Sequence, residues 1–435
     1  MSHRSHISFE NELLRLPEAI KDEDYIFATY YIETHIDLYK AVNALAEEQS
    51  IGPSQRERER HGTKVVGIYP VPLEITTAHL PTSFTNKTPD ARYNAAVIRL
   101  AFPHINFGPR LPNLLTAVAG NLYEMGSFTA LKLLDLQFPS SFLRGFHGPR
   151  FGIEGTRKIL NLYERPVIGA VIKPCVGISA EETAYLAYQG FKGGLDFIKD
   201  DELLADTSYN SIKERVDKVM TSTKRAEEET GENKMYAFNI TDRLDKIREL
   251  HDIVVEGGGN CVMINVATVG LEAVREFSEY TSVPVHCQRD FAPLWARGEY
   301  IGINFPTISK LFRLLGGDHI HIGSIHGKLY ETDEEVVSNM RPCILVFDGI
   351  KPSLPVISGG QWAGKAPINY RMMGNKDFIH LSRGGVYDHP EGGEVGAKSL
   401  RQAWEATITG IPLEEYAKDH RELARAIEHF GKVVY

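Results

Sequence analysis

The sequence predicts an α/β protein in which a closed (β/α)₈ barrel follows a smaller α+β domain. Two observations support this fold class. Eight short apolar segments alternate with amphipathic helical stretches after residue 149, a pattern typical of parallel strands covered by helices. Polar residues and glycines cluster where these segments end, and a barrel of this type has its active site at the carboxyl ends of its strands.

Residues 1–148 are predicted to form the α+β domain, because their strands and helices come in a mixed order. Strands are expected at 24–31, 64–71, 93–102 and 130–138, with helices at 37–46 and 114–125. This order suggests a small antiparallel sheet backed by helices, as in a ferredoxin-like unit. Turn-forming residues at 145–149 predict a linker between the two domains.

Residues 149–435 are assigned to the barrel and to helices that close the C-terminus. Barrel strands are predicted at 167–173, 195–199, 235–239, 261–266, 283–288, 318–323, 354–358 and 377–382. Helices are predicted at 180–191, 211–229, 242–255 and 271–280, and after the last strand at 397–409 and 413–430. A doubly wound open sheet has the same alternation of strands and helices, and it is the structural alternative.

Composition limits the classes of function. The chain has 435 residues and a net charge of −9, so it lacks the basic footprint of a nucleic-acid-binding protein. No apolar run is long enough to span a bilayer, and the N-terminus lacks an apolar signal region. Four scattered cysteines without a CxxC motif favour a reducing compartment. We therefore expect a cytoplasmic protein with no nucleic-acid or membrane partner.

The second predicted barrel strand ends in Lys199, Asp201 and Glu202. Alternate residues of a strand face the same side, so Lys199 and Asp201 are expected together, with Glu202 at the strand mouth. Two carboxylates at such a place attract a hard cation such as Mg²⁺. A lysine fits this site if its amine has reacted with CO2, because the resulting carbamate is an anionic oxygen ligand. The alternative is a charged strand-to-loop exit with a Lys–Asp ion pair.

Other predicted strand ends carry polar side chains and glycine pairs. They include Lys173 and Cys175, Gln288 and Arg289, His319 and His321, Ser358 with Gly359 and Gly360, and Arg383 with Gly384 and Gly385. The two glycine pairs are predicted to bind phosphate through bare backbone N–H groups. Arg289, His321 and Ser358 are predicted to hold a second anion. A lone core histidine or a glycine turn is usually structural, but agreement between six strand ends favours a site.

These residues resemble the large subunit of RuBisCO and, more closely, the RuBisCO-like proteins. The resemblance covers nearly the whole chain and is carried by residues 193–202, 317–321, 327–329, 354–360 and 383–392. It implies an α+β domain, a (β/α)₈ barrel, and a homodimer whose active sites lie between one barrel and the neighbouring N-terminal domain. It also implies that Mg²⁺ is bound by Asp201, Glu202 and a CO2-derived carbamate on Lys199.

The resemblance assigns roles to further residues. Lys173 would donate or accept a proton near the metal, Lys328 would act from a lid, and Glu48 and Asn121 would come from the neighbouring subunit. The predicted catalytic residues are Lys173, Lys199, Lys328, His321, Asn121 and Glu48. The predicted substrate-binding residues are Arg289, His321, Ser358, Gly359, Gly360, Arg383, Gly384, Gly385 and Gln288. The loop from Gly323 to Lys328 would be either a mobile lid or a rigid loop.

Several positions depart from the carboxylase pattern. Cys175 replaces a lysine, Gln288 replaces a histidine, and Arg383 replaces the first glycine of the strand-eight phosphate loop; Pro53 and Ser54 replace a threonine and a tryptophan. Glutamine cannot donate or accept a proton as histidine does. We therefore predict that the metal site is retained and that ribulose bisphosphate carboxylation is lost.

The departures favour one branch of the family's chemistry. Loss of CO2 from a 3-oxo acid gives an enolate without abstraction of a C–H proton, and this tolerates the loss of base-like residues. We therefore expect a 3-oxo-isoapionate 4-phosphate decarboxylase or transcarboxylase/hydrolase of carbohydrate catabolism, in which Arg383 holds a carboxylate or fills the space of a second phosphate. The alternatives are a methionine-salvage isomerase or enolase acting on a methylthioribulose-type phosphate, and a non-catalytic relative.

Overall fold

The structure is a computed structural model that describes residues 22–52, 61–71 and 93–435. Pro53 and Ser54, two of the departures noted above, lie outside the described residues. The chain divides into two compact units. The first contains the described residues up to 146 together with 293–308, and the second contains residues 147–292 and 309–435.

The strands are numbered along the described residues. They are β1 (Tyr25–Thr34), β2 (Lys64–Val71), β3 (Asn94–Pro103), β4 (Phe128–Gln137), β5 (Val167–Val171), β6 (Phe197–Lys199), β7 (Met235–Asn239), β8 (Cys261–Asn265), β9 (Val285–Gln288), β10 (Ile301–Ile303), β11 (His319–Gly323), β12 (Leu354–Ser358) and β13 (Ile379–Ser382).

Helices connect and cover these strands. They span Leu38–Glu48, Leu111–Ala119, Ser140–Leu143, Gly152–Leu160, Ala180–Lys192, Ile212–Thr230, Leu244–Glu256, Val266–Val269, Leu271–Tyr280, Ala292–Ala296, Phe305–Leu314, Asp333–Ile344, Ala366–Met373, Gly384–Tyr387, Gly393–Thr409, Leu413–Tyr416 and Arg421–Phe430. No helix within the described ranges is both long enough and apolar enough to cross a membrane.

The first unit contains a five-stranded sheet in the order β10-β4-β1-β3-β2. Strand β1 pairs antiparallel with β3 and β4, while the short β10 pairs parallel with β4. The order β4-β1-β3-β2 is that of the predicted ferredoxin-like sheet. The segment 293–308 adds β10 to this sheet although it follows β9 in the chain, and no pattern in the sequence predicted that addition.

The second unit contains a closed parallel barrel in the order β5-β6-β7-β8-β9-β11-β12-β13. This confirms the predicted fold class and excludes the doubly wound open sheet. Alternate strand residues fill one apolar cluster that includes Phe197, Met235, Met263, Val356 and Leu381. The period of two is expected, because successive strand residues point to opposite faces. The helices thus cover one face of each strand, while the other face packs inside the barrel.

Two predicted helices end earlier than expected. The region 413–430 forms two helices, because His420 has non-helical backbone angles (φ −128°, ψ 89°) and its ring nitrogen lies 2.7 Å from the Tyr416 carbonyl oxygen. The helix predicted at 114–125 ends at Ala119, and Gly120 (φ −92°, ψ −118°) separates it from a short 3₁₀ turn at Asn121–Glu124. The prediction of one continuous helix was wrong in both places.

A buried ion pair fixes the beginning of β6. Both outer nitrogens of Arg165 donate to Asp196, at 2.5 and 2.8 Å, and the carboxylate also accepts from the Ile168 backbone N–H at 2.9 Å. Both side chains are less than a tenth exposed. Asp196 therefore has a structural role within the motif at residues 193–202.

Removing Asp196 should therefore destabilise the barrel strongly. Asp196→Ala leaves the Arg165 charge buried without its partner, which typically costs about 3–5 kcal/mol. Glu249→Ala is the matched control, because Glu249 pairs with Lys246 on the surface and such pairs contribute about 1 kcal/mol or less. Urea denaturation of both variants tests this expectation. Equal losses of stability would contradict a structural role for Asp196.

Stability should also depend on pH through His380 in β13. Its Nδ1 accepts a hydrogen bond from the Trp404 indole at 2.9 Å, and burial lowers the pKa of His380 to about 3. In the unfolded chain His380 takes up a proton near pH ~6.5, whereas in the folded chain it stays neutral until the pH approaches 3. The contribution of His380 to stability is therefore fully present above about pH 6.5 and is lost as the pH falls toward 3. The loss is about 1.4 kcal/mol per pH unit for this group.

His380→Gln keeps an acceptor for Trp404 and removes the titration. Urea denaturation between about pH 6.5 and pH 5 should therefore show that the unfolding free energy falls less steeply with pH in the variant than in the wild type. The difference in slope should approach the contribution of one proton, about 1.4 kcal/mol per pH unit. Parallel slopes would show that the histidine does not titrate in this way.

Candidate active site

Lys199 and Glu202 lie together at the end of β6. The Lys199 side chain is 1% exposed, and its amine donates to Glu202 Oε2 at 2.9 Å and to the Asp200 carbonyl at 3.0 Å. The amine also lies 3.3 Å from the Met263 sulfur inside the barrel. Burial raises the pKa of Glu202, but the charge and hydrogen bond of Lys199 outweigh it and bring the pKa down to about 2. The carboxylate is therefore ionised.

Asp201 forms an ion pair with Lys173, which follows β5. The Lys173 amine also donates to Cys175 Sγ, and an outer nitrogen of Arg383 lies 3.6 Å from the same sulfur. Lys173, Cys175, Arg383 and Gly384 line one cavity of about 460 Å³. The ends of β5, β6 and β13 thus meet at one place, where two lysines pair with two carboxylates.

Asp200 holds this strand end from the other side. Its carboxylate accepts from the Tyr236 hydroxyl at 2.6 Å and from the Asn239 N–H at 2.8 Å, and the Arg215 Nε lies 3.1 Å away. Asp200 and Arg215 are fully buried. The residues therefore alternate: Lys199 and Asp201 belong to the cluster of paired charges, and Asp200 anchors the backbone between them.

Two buried amide oxygens near this cluster have no hydrogen-bond partner within the described part of the chain. They are Asn265 Oδ1, at the end of β8, and Gln288 Oε1, at the end of β9. The Asn265 amide nitrogen lies 3.5 Å from the Glu202 carbonyl oxygen. An unpaired buried oxygen is costly, so these two atoms have unused capacity to bind a cation, a water or a substrate hydroxyl.

Asp290 is a third carboxylate at this site. It accepts a hydrogen bond from the Gln288 amide at 3.0 Å. Burial is the main cause of its raised pKa, and the negative charges of Glu202 and Asp201 raise the pKa further. Sequence reasoning missed Asp290 and Asn265. Asn265 ends a barrel strand and was detectable by the strand-end rule, whereas Asp290 follows the strand end and has no pattern of its own.

No three His, Cys, Asp or Glu side chains within the described ranges lie close enough together to hold a metal ion. The carboxylates that follow β6 at this place are Asp201 and Glu202. Lys199 is the buried group in contact with Glu202.

Three buried histidines form a row of contacts that begins at Thr156 and runs in the order His319, His286, His321. Thr156 donates to the Gly152 carbonyl at 2.7 Å, so it accepts from His319 Nε2 at 2.8 Å. His319 and His286 approach through Nδ1 atoms at 3.4 Å, and His286 and His321 through Nε2 atoms at 2.7 Å. Burial lowers the pKa of all three. In the neutral chain His321 donates its single N–H to His286 and presents a bare Nδ1.

Arg289, after β9, forms two contacts with Glu331. Its outer nitrogens lie 2.5 and 3.1 Å from the two Glu331 oxygens, and both side chains are less than a tenth exposed. Sequence reasoning missed Glu331, because it lies in an irregular segment eight positions after the end of β11. Arg289, which was predicted to bind an anion, thus lies at the barrel end and is paired with a carboxylate of its own chain.

The loop after β11 packs on the glycines after β12. Gln361 donates to Ser324 Oγ at 2.8 Å and to the Ile325 carbonyl at 2.9 Å. Gly359 and Gly360 have φ values of 102° and 67°, which favour glycine. A Cβ on Gly360 would lie 3.3 Å from the Lys328 backbone nitrogen. The backbone conformation and the close contact therefore explain why glycine stands at these two positions, apart from the predicted binding of phosphate. Lys328 itself is exposed.

The remaining predicted residues occupy three places. Ser358 ends β12, partly exposed. Gly384 and Gly385 begin a short helix, where a Cβ on either would lie 2.5 Å from a neighbouring side chain. In the first unit the Asn121 amide donates to Glu48 Oε1 at 2.5 Å, and both residues line a cavity of about 580 Å³.

Comparison with known proteins decides the family. Residues 152–430 match the catalytic domain of the ribulose bisphosphate carboxylase large chain, and residues 17–142 match its N-terminal domain. The chain belongs to the RuBisCO large-chain family. The resemblance inferred from the motifs is confirmed.

Several relatives of this RuBisCO-like chain have been named. A ribulose bisphosphate carboxylase-like protein of Chlorobaculum tepidum is 40% identical over 94% of the chain and 95% of the relative. A 3-oxo-isoapionate-4-phosphate transcarboxylase/hydrolase of Xanthobacter autotrophicus is 36% identical over 92% of the chain and 98% of the relative. A 3-oxo-isoapionate-4-phosphate decarboxylase of Rhizobium etli is 35% identical over 93% and 99%.

Comparison with solved structures leads to the same family. A rubisco-like protein from Burkholderia fungorum has a TM-score of 0.87 at 36% identity, over 94% of this chain and 100% of that one. The rubisco-like protein MtnW of Alicyclobacillus acidocaldarius has a TM-score of 0.84 at 28% identity, over 94% and 100%. The RuBisCO-like fold is thus common to relatives with different names.

Proposed function

We propose that this RuBisCO-like protein is an enzyme that acts on phosphorylated keto-sugar acids. The preferred activity is that of a 3-oxo-isoapionate 4-phosphate decarboxylase or transcarboxylase/hydrolase, without ribulose bisphosphate carboxylase activity. The observation that carries the proposal is the paired cluster of Lys199 with Glu202 and Lys173 with Asp201. Full-length relatives at 35–36% identity that bear these two names support it.

The cluster fits Mg²⁺ once Lys199 carries CO2 as a carbamate. Two lysines and two carboxylates carry no net charge together, and conversion of the Lys199 ammonium into an anionic carbamate leaves two negative charges. A divalent cation compensates that charge, and Asp201, Glu202 and the carbamate would supply the hard oxygen ligands that Mg²⁺ prefers. The unpaired oxygens of Asn265 and Gln288 add neutral acceptors nearby.

When bound, Mg²⁺ would act as a Lewis acid that stabilises negative charge on a substrate oxygen. The chain's own residues would bind and protonate the substrate. The Arg383 guanidinium and the Lys173 ammonium both contact Cys175, so one anionic group of the substrate could lie against both. Release of CO2 leaves the bonding electrons in an enolate, and Lys173 would deliver the proton that completes the product.

The substitutions relative to the carboxylase pattern are compatible with this reaction. Decarboxylation needs one proton donor after CO2 has left and no base to remove a C–H proton. Cys175 and Gln288 therefore cost the reaction little, whereas a carboxylase uses the lysine and the histidine of those positions.

An isomerase or enolase of methylthioribulose-type phosphates is the second candidate. Such a reaction requires a base, and Asp290 is a carboxylate of raised pKa beside Glu202 and Asp201. The structural similarity to MtnW also favours this candidate.

We also propose a cytoplasmic homodimer in which Glu48 and Asn121 of one subunit complete the site of the other. The direct contact of these two residues in one polar cavity supports a joint role, and the four cysteines are free. Mixing the inactive variants Lys199→Ala and Glu48→Gln should restore partial activity if the site is shared. No recovery in a verified mixed dimer would contradict the shared site.

The activity is testable with a panel of phosphorylated keto acids and thioribulose phosphates in Mg²⁺ and bicarbonate, followed by ³¹P and ¹³C NMR in D2O. We expect turnover of 3-oxo-isoapionate 4-phosphate with loss of its carboxyl group, and none of ribulose bisphosphate. Lys199→Ala should lose about 100-fold or more, since removal of one preorganised electrostatic group costs that much. Lys192→Ala is the control, because Lys192 is an exposed lysine paired with Glu394.

Each outcome separates the candidates. Full activity of Lys199→Ala would contradict the carbamate role. Turnover of only the methylthio-sugar phosphate would select the isomerase or enolase. No turnover of any compound, with no effect of Mg²⁺ and bicarbonate on thermal stability, would favour a non-catalytic relative.

A further inference from the structure

Arg289 and Glu331 form a buried ion pair, and Tyr330 interacts with both members of it. Two nitrogens of one guanidinium meet two oxygens of one carboxylate at 2.5 and 3.1 Å, which is the bidentate geometry in which arginine binds anions most strongly. The exposed fractions of the two side chains are 8% and 3%. The fork that an arginine would offer to a phosphate is therefore already occupied by an internal carboxylate.

The neighbouring group is also engaged. The Nε2 atoms of His321, in β11, and His286 lie 2.7 Å apart. With neutral rings, the hydrogen bonds that begin at Thr156 assign the single N–H of His321 to this contact, so His321 has only a bare nitrogen acceptor left. An incoming phosphate or carboxylate would find no free donor on His321 and a negative Glu331 beside Arg289. The negative charge of Glu331 would repel the negative charge of such a group, and burial strengthens that repulsion.

We propose that Glu331 is a specificity-determining residue, which neutralises Arg289 so that the barrel end at Arg289 and His321 accepts an uncharged part of the substrate. The inference deepens the proposed function, on which it rests, because it says that the part of the substrate bound at this place carries no negative charge. It also differs from the expectation that Arg289, His321 and Ser358 hold a second anion. The substrate class is a sugar acid with one phosphate, not a bisphosphate.

The position of Glu331 follows from the segment that carries it. It lies between β11 and the helix Asp333–Ile344, whose N-terminus is fixed by reciprocal hydrogen bonds between Thr332 and Glu335. This capping box anchors the residue directly after Glu331. The side chain of Glu331 is therefore supplied to Arg289 from a fixed backbone rather than from a free loop.

The test compares two probes that differ by one phosphate, xylitol 5-phosphate and xylitol 1,5-bisphosphate. Their dissociation constants are measured by calorimetry on the full chain without Mg²⁺, so the result needs neither turnover nor the carbamate. In the wild type the bisphosphate should bind no more than about threefold tighter than the monophosphate. In Glu331→Gln it should bind about 10-fold tighter or more, since one charge-assisted arginine–phosphate contact is freed.

Two controls separate the pair from a general charge effect. Glu334→Gln removes the same charge from an exposed position three residues away, and it should leave the wild-type ratio unchanged. Arg289→Met combined with Glu331→Met removes both charges and should also keep the wild-type ratio, because the guanidinium that would bind the added phosphate is gone.

The outcomes are decisive in both directions. A wild type that prefers the bisphosphate by 10-fold or more overturns the proposal, even if no variant folds. An unchanged ratio in folded Glu331→Gln, or no binding of the bisphosphate to it at about 10 mM, also overturns it. If the predicted ratios hold while the keto-acid panel shows no turnover, the proposed activity fails and the specificity assignment stands.

Discussion

The buried charge balance at the end of β6 is the constraint on which the rest of the site depends. Lys199 is almost completely removed from water, and a charge in such a place is tolerable only when it is paired. Glu202 provides that pairing, and Lys173 with Asp201 repeats it beside Cys175 and Arg383. The cluster is neutral as it stands, and a change of charge on Lys199 must be answered by another ion.

The same motif contains residues with opposite tasks. Asp196 and Asp200 are held by Arg165, Tyr236 and backbone N–H groups, and they fix the two ends of β6 within the barrel wall. Lys199 is paired with Glu202, and Asp201 is paired with Lys173. The density of charge in this stretch thus has two parts, carboxylates that anchor the ends of the strand and a cluster of paired charges that the proposed chemistry would use.

The barrel was predictable because its strands are short apolar runs with a regular spacing, and each predicted strand overlaps an observed one. The residues at strand ends were predictable for the same reason. Asp290 and Glu331 were not, because each follows a strand in an irregular segment, and its importance comes from a partner distant in the sequence. The pairing of Arg289 with Glu331 joins positions 42 residues apart, and no periodicity relates them. The split at His420 depends on one side chain contacting a carbonyl, which composition alone does not reveal.

The central claim is that Lys199 carries CO2 and that its carbamate, Asp201 and Glu202 bind Mg²⁺. The most direct measurement is ¹³C NMR of the protein equilibrated with ¹³C-bicarbonate and Mg²⁺. The account predicts one carbamate carbonyl resonance per chain in the wild type, stabilised by Mg²⁺ and absent from Lys199→Ala. A wild-type spectrum without that resonance at saturating Mg²⁺ and bicarbonate, or one that persists in Lys199→Ala, would contradict it.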